Sequence, residues 1–563
     1  MTRSQKRRRG SPRENTSSTP ISSIEPTAPT RKPALEWIAV IVIVACAAVL
    51  LFWRLGAVYL WQDEANTAVL AVRMLKHGKP LAYDGVNLLS SDNFAAEDRA
   101  TIGARTADPK AAVDYVIDRG DLKADSSWIF QPWGQFVAAA ASIRAFGQTT
   151  LAARLPFALA AFATVLLLYW IARRATGSVW IASLSCLLLL ANAYWVLHGR
   201  QARYYALSSL FLMLTVLAYD RWQRGGRWGS PLFVAAAWGW FQVDYGTVWP
   251  VLGVMFLHAL IVKRRNPGTV LISGLGLAAA IAPFVFFYQL SGRLATQSGT
   301  WADRFGQTLF NLNQFVIPAV MLATGIVVLV WRWRRLADAE RRLVVVSVGL
   351  LLTLTVWVPA VAPMSFLRYV IMAAPIGCLL IAWTLVRAFG KRPALAGIAA
   401  AVVALTPWAS RPLEGLAPAP VMRPGGSLVR PELTALVRGV FRTRRDPNQL
   451  VVEWLRQNAQ PTDEVLINYE DVPLMYYLPN PIRGGIAAFR AEDDAKTPPR
   501  FAILRRSVGF VHWPVFQREI ARYKWDMIPL NAPDVMWGNN PDPMGQIQDP
   551  GTAPDLLIAR RRN

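Results

Sequence analysis

Long apolar runs separated by short polar segments fill the chain from about residue 35 to about residue 410. Several runs hold close to twenty residues with almost no charge, which is the length that spans the hydrocarbon core of a bilayer. The runs cover residues 35–55, 151–171, 179–197, 204–219, 231–243, 247–262, 270–288, 315–330, 343–361, 367–386 and 394–409. The pattern therefore predicts an all-α polytopic membrane protein with about eleven transmembrane helices.

The first outer polar segment, residues 57–150, is much longer than the others and contains two helical patterns. Apolar residues from Ala68 to Leu75 recur at helical spacing, so we expect a helix that lies in the membrane interface. The apolar stretch 129–146 carries two glutamines, a proline and an arginine, which favours a second surface helix over a crossing one. A polar insert, about residues 87–127, enlarges this loop.

The pattern divides the chain into three parts. Residues 1–33 are polar and basic, and we expect a disordered tail. Residues 34–410 form the transmembrane domain, with residues 57–150 as its first outer loop. Residues 411–563 are typical of a small α/β domain: Asp446-Pro447 has the features of a helix N-cap before a helix at 448–458. Residues 464–469, 501–504 and 556–559 are patterned as short buried strands.

Composition agrees with a membrane protein, because 53% of the residues are hydrophobic and only 17% are charged. The net charge of +24 does not indicate nucleic-acid binding, since the basic residues lie in short clusters between apolar runs. With the tail inside, every inner loop is basic, as the positive-inside rule requires. We therefore expect a multi-pass membrane protein with a cytoplasmic N-terminus and an extracytoplasmic C-terminal domain. The three cysteines lie in apolar runs, and no disulfide framework is expected.

Asp63 and Glu64 are adjacent carboxylates at the outer end of the first span, where a helix begins. A partly desolvated carboxylate has a raised proton affinity, which suits it to act as a general base. The alternative is that both residues only stabilise the N-terminus of that helix electrostatically.

Several cations lie on the predicted outer face, against the usual charge bias. They are Arg154, His198, Arg200, Arg203, Arg293, Arg304 and Arg368. The guanidinium group of arginine can donate to two phosphate oxygens at once. The phosphate of a membrane lipid lies at the membrane surface, where these residues are predicted to be. The alternative is that these side chains extend to the lipid headgroups. Asp244 in an outer turn and the nearby Tyr204 and Tyr205 are candidate substrate-binding residues, although a solvated turn and an interfacial aromatic belt explain them as well.

The order of these motifs resembles the GT-C glycosyltransferases, in particular the Rgt/ArnT-like bacterial enzymes related to the protein O-mannosyltransferases. The resemblance rests on sequence segments from residue 35 to residue 387. They are Asp63-Glu64-Ala65, Phe130-Gln131-Pro132-Trp133-Gly134, Ala153-Arg154-Leu155-Pro156, Gln201-Ala202-Arg203-Tyr204-Tyr205 and Leu367-Arg368-Tyr369. The chain departs from the family at Gln201, where glutamate is usual, and at Asp244-Tyr245, where His-Tyr is frequent.

The resemblance implies an inverting hexosyl- or pentosyltransferase that takes sugar from a polyprenyl-phosphate donor. Asp63 would deprotonate the acceptor hydroxyl, and Glu64 would hold acceptor or sugar. Arg203 and Arg368 would neutralise the departing phosphate, and Arg154 would bind donor phosphate or brace the first outer loop. The acceptor would be a cell-envelope glycan, a lipid or a protein. No nucleotide, other cofactor or metal is expected, because no metal-ligand spacing, Walker loop or nucleophile elbow is present in the sequence.

Two other classes of protein share parts of this pattern. A flippase or transporter of lipid-linked glycans would bury charges near the bilayer midplane and often contain internal repeats, whereas the charges here cluster at one face. An O-antigen ligase-like enzyme would have its large loop late in the chain, whereas this chain has it first.

The alternation of basic loops predicts the orientation of both termini. A periplasm-specific reporter fused after Asn563 should be active, and a cytoplasm-specific reporter at the same position should be silent. The opposite pattern would contradict both the number of spans and the surface position of residues 129–146.

Overall fold

A computed structural model describes residues 33–89, 123, 125–262, 266–290, 300–362, 366–416, 429–442, 445–484, 498–505, 520–535 and 554–562. The expected disordered tail, most of the polar insert and Arg293 lie outside these ranges.

Helices dominate the described part of the chain up to residue 405. They are α1 (Pro33–Phe52), α2 (Gln62–His77), α3 (Gly134–Phe146), α4 (Thr150–Thr176), α5 (Val179–Leu190), α6 (Ala193–Gly199), α7 (Tyr205–Gln223), α8 (Gly229–Phe241), α9 (Val248–Val262), α10 (Pro267–Phe287), α11 (Trp301–Asn311), α12 (Ala319–Arg332), α13 (Asp338–Val361), α14 (Ala374–Phe389) and α15 (Pro393–Leu405). Extensive packing joins α7 to α4 and α8, and α14 to α5 and α12.

Four helical segments of the described residues are long and apolar enough to cross a membrane. They are Thr150–Thr176, Pro267–Phe287, Asp338–Val361 and Ile371–Phe389. The number rises to six if two bent pairs each form one span, and shorter apolar helices include Val248–Val262 and Pro393–Leu405. The prediction of a multi-pass helical protein agrees with this architecture, whereas the number of about eleven spans stays a prediction.

The structure corrects three of the predicted boundaries. Residues 179–197 are not one helix, because the chain bends by 74° between α5 and α6. The side chain of Asn192 accepts a hydrogen bond from the Trp195 amide and so starts a new helix at this point. Residues 301–311, expected to be loop, form α11, and the run from Leu367 begins with two short 3₁₀ turns before α14.

The predicted surface helix in the first outer loop begins at Gly134 and forms α3. Its thirteen residues extend about 20 Å, which is too short for a hydrocarbon core of about 30 Å. It packs against α2 and α4. The helix thus supports α2 from one side, and α2 carries the Asp63-Glu64 pair in its first turn.

The C-terminal part contains a five-stranded mixed sheet. Its helices are α16 (Pro431–Phe441), α17 (Pro447–Asn458) and α18 (Asp471–Tyr477); its strands are β1 (Val465–Ile467), β2 (Ile482–Arg483), β3 (Phe501–Leu504), β4 (Trp525–Pro533) and β5 (Asp555–Arg561). The strand order is β2-β1-β3-β5-β4, with β1 parallel to β2 and β3 and with β5 antiparallel to β3 and β4. The predicted N-cap at Asp446 and three predicted strands are confirmed, whereas α18, β2 and β4 were not foreseen.

Buried charged and polar side chains join separate segments of this domain through hydrogen bonds. Arg505 donates to Asp534 and to Asn448 at 2.7 Å each, and Asn448 also donates to Glu470 at 3.0 Å. Burial raises the pKa of Glu470 to about 8 and that of Asp446 to about 6. At neutral pH the Glu470 carboxyl is therefore mostly protonated, which lowers the cost of keeping it away from water.

The C-terminal domain docks on the segment that leads into α2. The Tyr477 hydroxyl accepts a hydrogen bond from the Leu60 amide at 3.0 Å and lies 2.6 Å from the Thr150 hydroxyl. The Tyr477 ring also stacks on Tyr59, with 4.0 Å between ring centroids. Deeper in the contact, Gln62 donates to Asp471 at 2.7 Å. The start of α2 is therefore fixed from both the membrane domain and the C-terminal domain.

Replacing Tyr477 with phenylalanine should weaken this docking. The change leaves the buried Leu60 amide without an acceptor, which typically costs about 1–3 kcal/mol. The melting temperature of the detergent-purified protein should fall. Tyr523→Phe is the matched control, because its hydroxyl makes no hydrogen bond to the part of the chain that the structure describes. Equal melting temperatures for the two variants would contradict the docking role.

Candidate active site

The first turn of α2 carries two adjacent carboxylates that face different environments. Successive residues of a helix point roughly 100° apart, so Asp63 and Glu64 cannot share one direction. Glu64 is completely buried, whereas the side chain of Asp63 keeps 25% of its surface exposed. Both residues were predicted as catalytic. In the structure Glu64 faces the protein interior, whereas Asp63 stays partly exposed.

Glu64 is bound on all sides by the protein. Its Oε1 accepts from Arg154 Nε at 2.7 Å and from the Ala202 amide at 2.9 Å, and its Oε2 accepts from Arg154 Nη2 at 2.6 Å. The Trp61 amide lies 3.5 Å from Oε2, which caps the N-terminus of α2. This bidentate ion pair joins α2 to α4 and to the segment that follows α6.

Arg154 uses all of its donors on this connection. An arginine has five N–H groups. Besides the two bonds to Glu64, Nη1 donates to the carbonyls of Leu55 at 2.9 Å and Val58 at 2.7 Å, and Nη2 donates to Tyr59 at 3.1 Å. Arg154 therefore braces the chain between α1 and α2, the second of its two expected roles, and has no N–H group left for a phosphate in this conformation.

Asp63 lies between two of the predicted phosphate-binding arginines. Its Oδ2 accepts from Arg368 Nη1 at 2.9 Å and is 3.5 Å from Arg203 Nη2. Arg203 precedes α7, and Arg368 belongs to the 3₁₀ turn Leu367–Tyr369, so the structure joins residues more than 130 positions apart. Two guanidinium groups face one carboxylate, which leaves a formal charge of +1 at this cluster.

Two buried polar nitrogens of this cluster, Nε of Arg203 and Nε2 of His198, have no hydrogen-bond partner among the described residues. Both side chains are at least nine-tenths buried, and the rings of His198 and Tyr205 meet edge to face at 4.7 Å. Because buried polar groups are nearly always paired, such a concentration is typical of a ligand site.

Aromatic rings line the same cluster. The rings of Tyr204 and Tyr205 lie 4.5 Å apart, and the Arg203 guanidinium lies 5.9 Å from the Tyr204 ring. Arg368 lies over the Phe366 ring at 4.3 Å and is 5.7 Å from Tyr369. Such rings restrict the arginine side chains through cation–π contacts and give apolar surface for a sugar or an isoprenoid chain.

Asp244 follows α8, and its carboxylate accepts the hydrogen bonds of a tight turn. Its oxygens accept from the amides of Gly246 at 3.0 Å and Thr247 at 3.3 Å, and from the Thr247 hydroxyl at 2.5 Å. Ser208, in the first turn of α7, donates to it at 3.3 Å, so Asp244 adjoins the aromatic cluster. In this arrangement Asp244 holds the start of α9.

The structure thus brings together Asp63, Arg203, Arg368, Tyr204 and Tyr205, with Asp244 at their edge. His198 and Tyr369 belong to the same cluster, although the sequence analysis gave neither of them a role in the reaction. It named His198 only as one of the outer-face cations and Tyr369 only as the neighbour of Arg368 in a family-like segment. No group of three or more His, Cys, Asp or Glu side chains suited to a metal ion occurs within the described ranges.

Comparisons with known proteins identify the architecture. The sequence profile of the dolichyl-phosphate-mannose-protein mannosyltransferase family matches residues 131–288. Curated protein sequences give no significant match.

The fold is similar to that of ArnT from Cupriavidus metallidurans. The crystal structure of ArnT bound to undecaprenyl phosphate matches with a TM-score of 0.54 and 14% identity, covering 93% of this chain and 98% of that one. The apo structure matches with a TM-score of 0.54 and 13% identity, covering 94% and 98%. The chain therefore has a fold similar to that of ArnT and, over residues 131–288, matches the profile of this mannosyltransferase family.

Proposed function

We propose that this protein is an inverting glycosyltransferase that moves a hexose or pentose from a polyprenyl-phosphate donor to a cell-envelope glycan, lipid or protein. The reaction takes place on the extracytoplasmic face, where the C-terminal domain over residues 411–563 covers the start of α2. One observation carries the proposal: the Asp63 carboxylate pairs with Arg203 and Arg368 beside buried polar nitrogens that have no partner among the described residues.

Arg203 and Arg368 bind the phosphate of the donor and stabilise it as it leaves. The surplus positive charge of the cluster suits an anion, and the guanidinium fork matches two phosphate oxygens. Nε of Arg203 has no acceptor among the described residues and supplies a further donor. Charge that develops on the leaving oxygen meets fixed donors in a partly dry site, which is an effective form of transition-state stabilisation.

Asp63 is the general base that activates the acceptor hydroxyl. Its Oδ2 faces the arginines, whereas Oδ1 accepts no hydrogen bond from the described residues. When the donor phosphate engages both guanidinium groups, Asp63 loses part of its pairing and becomes available to the acceptor. The acceptor oxygen then attacks the anomeric carbon, the bond to the phosphate oxygen breaks, and the proton moves to Asp63.

Glu64 and Arg154 act through position. Glu64 lies next to Asp63 in sequence and accepts from the amide just before Arg203, so the buried pair sets the distance between base and phosphate ligand. Tyr204, Tyr205 and Asp244 form the wall against which the sugar binds. The ArnT structure that contains undecaprenyl phosphate supports a lipid of this class as the donor carrier.

The direct test of the function is chemical analysis of the cell envelope with and without the gene. Loss of one sugar from one glycan, lipid or protein, restored by the wild-type gene, is the expected result. Loss of the sugar together with accumulation of the lipid-linked sugar in the cytoplasmic leaflet alone would instead support a transporter.

Asp63→Asn should abolish most turnover and leave donor binding intact. General-base assistance is worth about 10²–10⁴ in rate. Binding of undecaprenyl phosphate to the purified variant should be no weaker than in the wild type, because the change removes a negative charge beside the arginines. Restoration of the missing sugar in cells and binding by the purified protein are the two measurements.

Glu64→Gln is the matched control for this prediction. It removes one partner of a buried ion pair, and such changes cost about 3–5 kcal/mol of stability. The amount of folded protein should fall, and turnover per folded molecule should fall by less than in Asp63→Asn, because Glu64 positions the base but takes no proton from the acceptor. Near wild-type transfer by Asp63→Asn would exclude Asp63 as the base.

Arg203→Lys and Arg368→Lys should each weaken binding of undecaprenyl phosphate. Lysine keeps the charge but loses the bidentate fork. Loss of one charge-assisted hydrogen bond, about 1.5–3 kcal/mol, corresponds to about ten- to hundredfold weaker binding.

Arg200→Lys is the matched control for the arginine variants. Arg200 donates to the carbonyls of Leu50 and Trp53 at the end of α1 and makes no contact with Asp63. It should bind the lipid with wild-type affinity and show only reduced thermal stability. Equal affinity in all three variants would remove the phosphate role from Arg203 and Arg368.

A further inference from the structure

A second cluster of arginines lies at the other end of the helices that carry the Asp63 site. Arg174 lies about 30 Å along α4 from Arg154, which equals the thickness of the hydrocarbon core. Arg224 follows the last residue of α7, and Arg342 lies one turn into α13. This cluster therefore belongs to the opposite membrane surface.

These arginines surround an open cleft between α4, α7 and α13. Apolar residues form its walls, among them Ile171, Val216, Leu217, Leu343 and Val346. The polar rim consists of Arg174, Arg224, Arg342, Tyr219 and Asp220. A site with apolar walls and a cationic rim suits an amphiphile whose head is negatively charged.

The charges at the rim do not cancel. Asp220 accepts from Arg342 Nη2 at 2.8 Å and pairs with Arg224 Nε at 2.8 Å. With Arg174 the rim has three cations and one anion, a formal surplus of +2. Arg174 also lies over the ring of Trp170 at 5.2 Å, and Trp170 is 43% exposed, as an aromatic residue at a membrane interface commonly is.

Arg342 supplies the second, independent observation. Its side chain is only 8% exposed, yet its Nε and Nη1 find no acceptor within the described ranges. Buried guanidinium donors are normally paired, because an unpaired one loses its hydration without compensation. Arg342 is one of the residues that line the cleft, and an anion that reaches these nitrogens would complete their hydrogen bonding.

We propose that this cleft binds the phosphate headgroup of an anionic phospholipid, with Arg342 as the central ligand and Arg174 and Arg224 at the rim. The acyl chain lies along the apolar walls between α4, α7 and α13. Basic pockets between membrane helices recognise anionic headgroups by this combination of charge and apolar contact. The site is independent of the glycosyl-transfer reaction and lies at the other end of α7.

The test compares lipid-induced stabilisation of the full-length, detergent-purified protein. Phosphatidylglycerol should raise the melting temperature of the wild type more than phosphatidylcholine with the same acyl chains. Arg342→Gln should reduce the apparent affinity for phosphatidylglycerol about tenfold, as expected for the loss of a charge-assisted contact. Arg221→Gln, which changes an exposed arginine of α7 outside the cleft, should respond like the wild type.

Three outcomes would overturn the proposal. An unchanged phosphatidylglycerol response in Arg342→Gln, with a response lost in Arg368→Lys, would assign the lipid to the Asp63 site. An equal shift with inorganic phosphate alone would identify a free anion as the ligand. If Arg342→Gln fails to fold, Arg224→Gln takes its place in the test, because Arg224 is exposed. A full phosphatidylglycerol response in that variant would exclude the arginine rim as the binding site.

Discussion

The buried ion pair between Glu64 and Arg154 is the interaction on which the candidate active site depends. Two charges can remain in the interior only because each satisfies the other and because backbone groups occupy the remaining positions. The pair joins the end of α1, the start of α2, α4 and the amide of Ala202. Asp63 is next to Glu64 in the sequence, and Arg203 is next to Ala202. The distance between Asp63 and Arg203 therefore depends on the contacts of Glu64 with Arg154 and with the Ala202 amide, in which neither residue takes part.

The C-terminal domain extends the same constraint from outside the membrane domain. Gln62 pairs with Asp471, and Tyr477 bonds to Leu60 and Thr150, so α18 holds the residues that flank the carboxylate pair. Helix α18 of the C-terminal domain, which lies far along the chain, thereby helps to hold the start of α2 in place. The buried carboxyl groups of this domain fit this role, because the raised pKa of Glu470 permits burial without a full compensating charge.

Four of the arginines predicted to lie at the outer face fall into two groups. Arg154 and Arg200 donate to backbone carbonyls near the end of α1 and act as braces, whereas Arg203 and Arg368 pair with the partly exposed Asp63. A similar combination of one aspartate with two arginines recurs at the other end of α7, around Asp220. Helix α7 thus connects two cationic clusters, for which we propose catalysis at one and lipid binding at the other.

The sequence by itself determined the helical membrane architecture, the C-terminal sheet and the candidate residues, because hydrophobic periodicity and loop charge are local properties that survive without tertiary information. It also proposed Asp63, Arg203 and Arg368 as candidates, although only as separate residues of the predicted outer face. Tertiary structure decided that Glu64 faces inward, that Arg154 has no donor left for phosphate, and that residues 179–197 break at Asn192. These outcomes depend on which side chains meet across hundreds of residues, and no local pattern encodes such contacts.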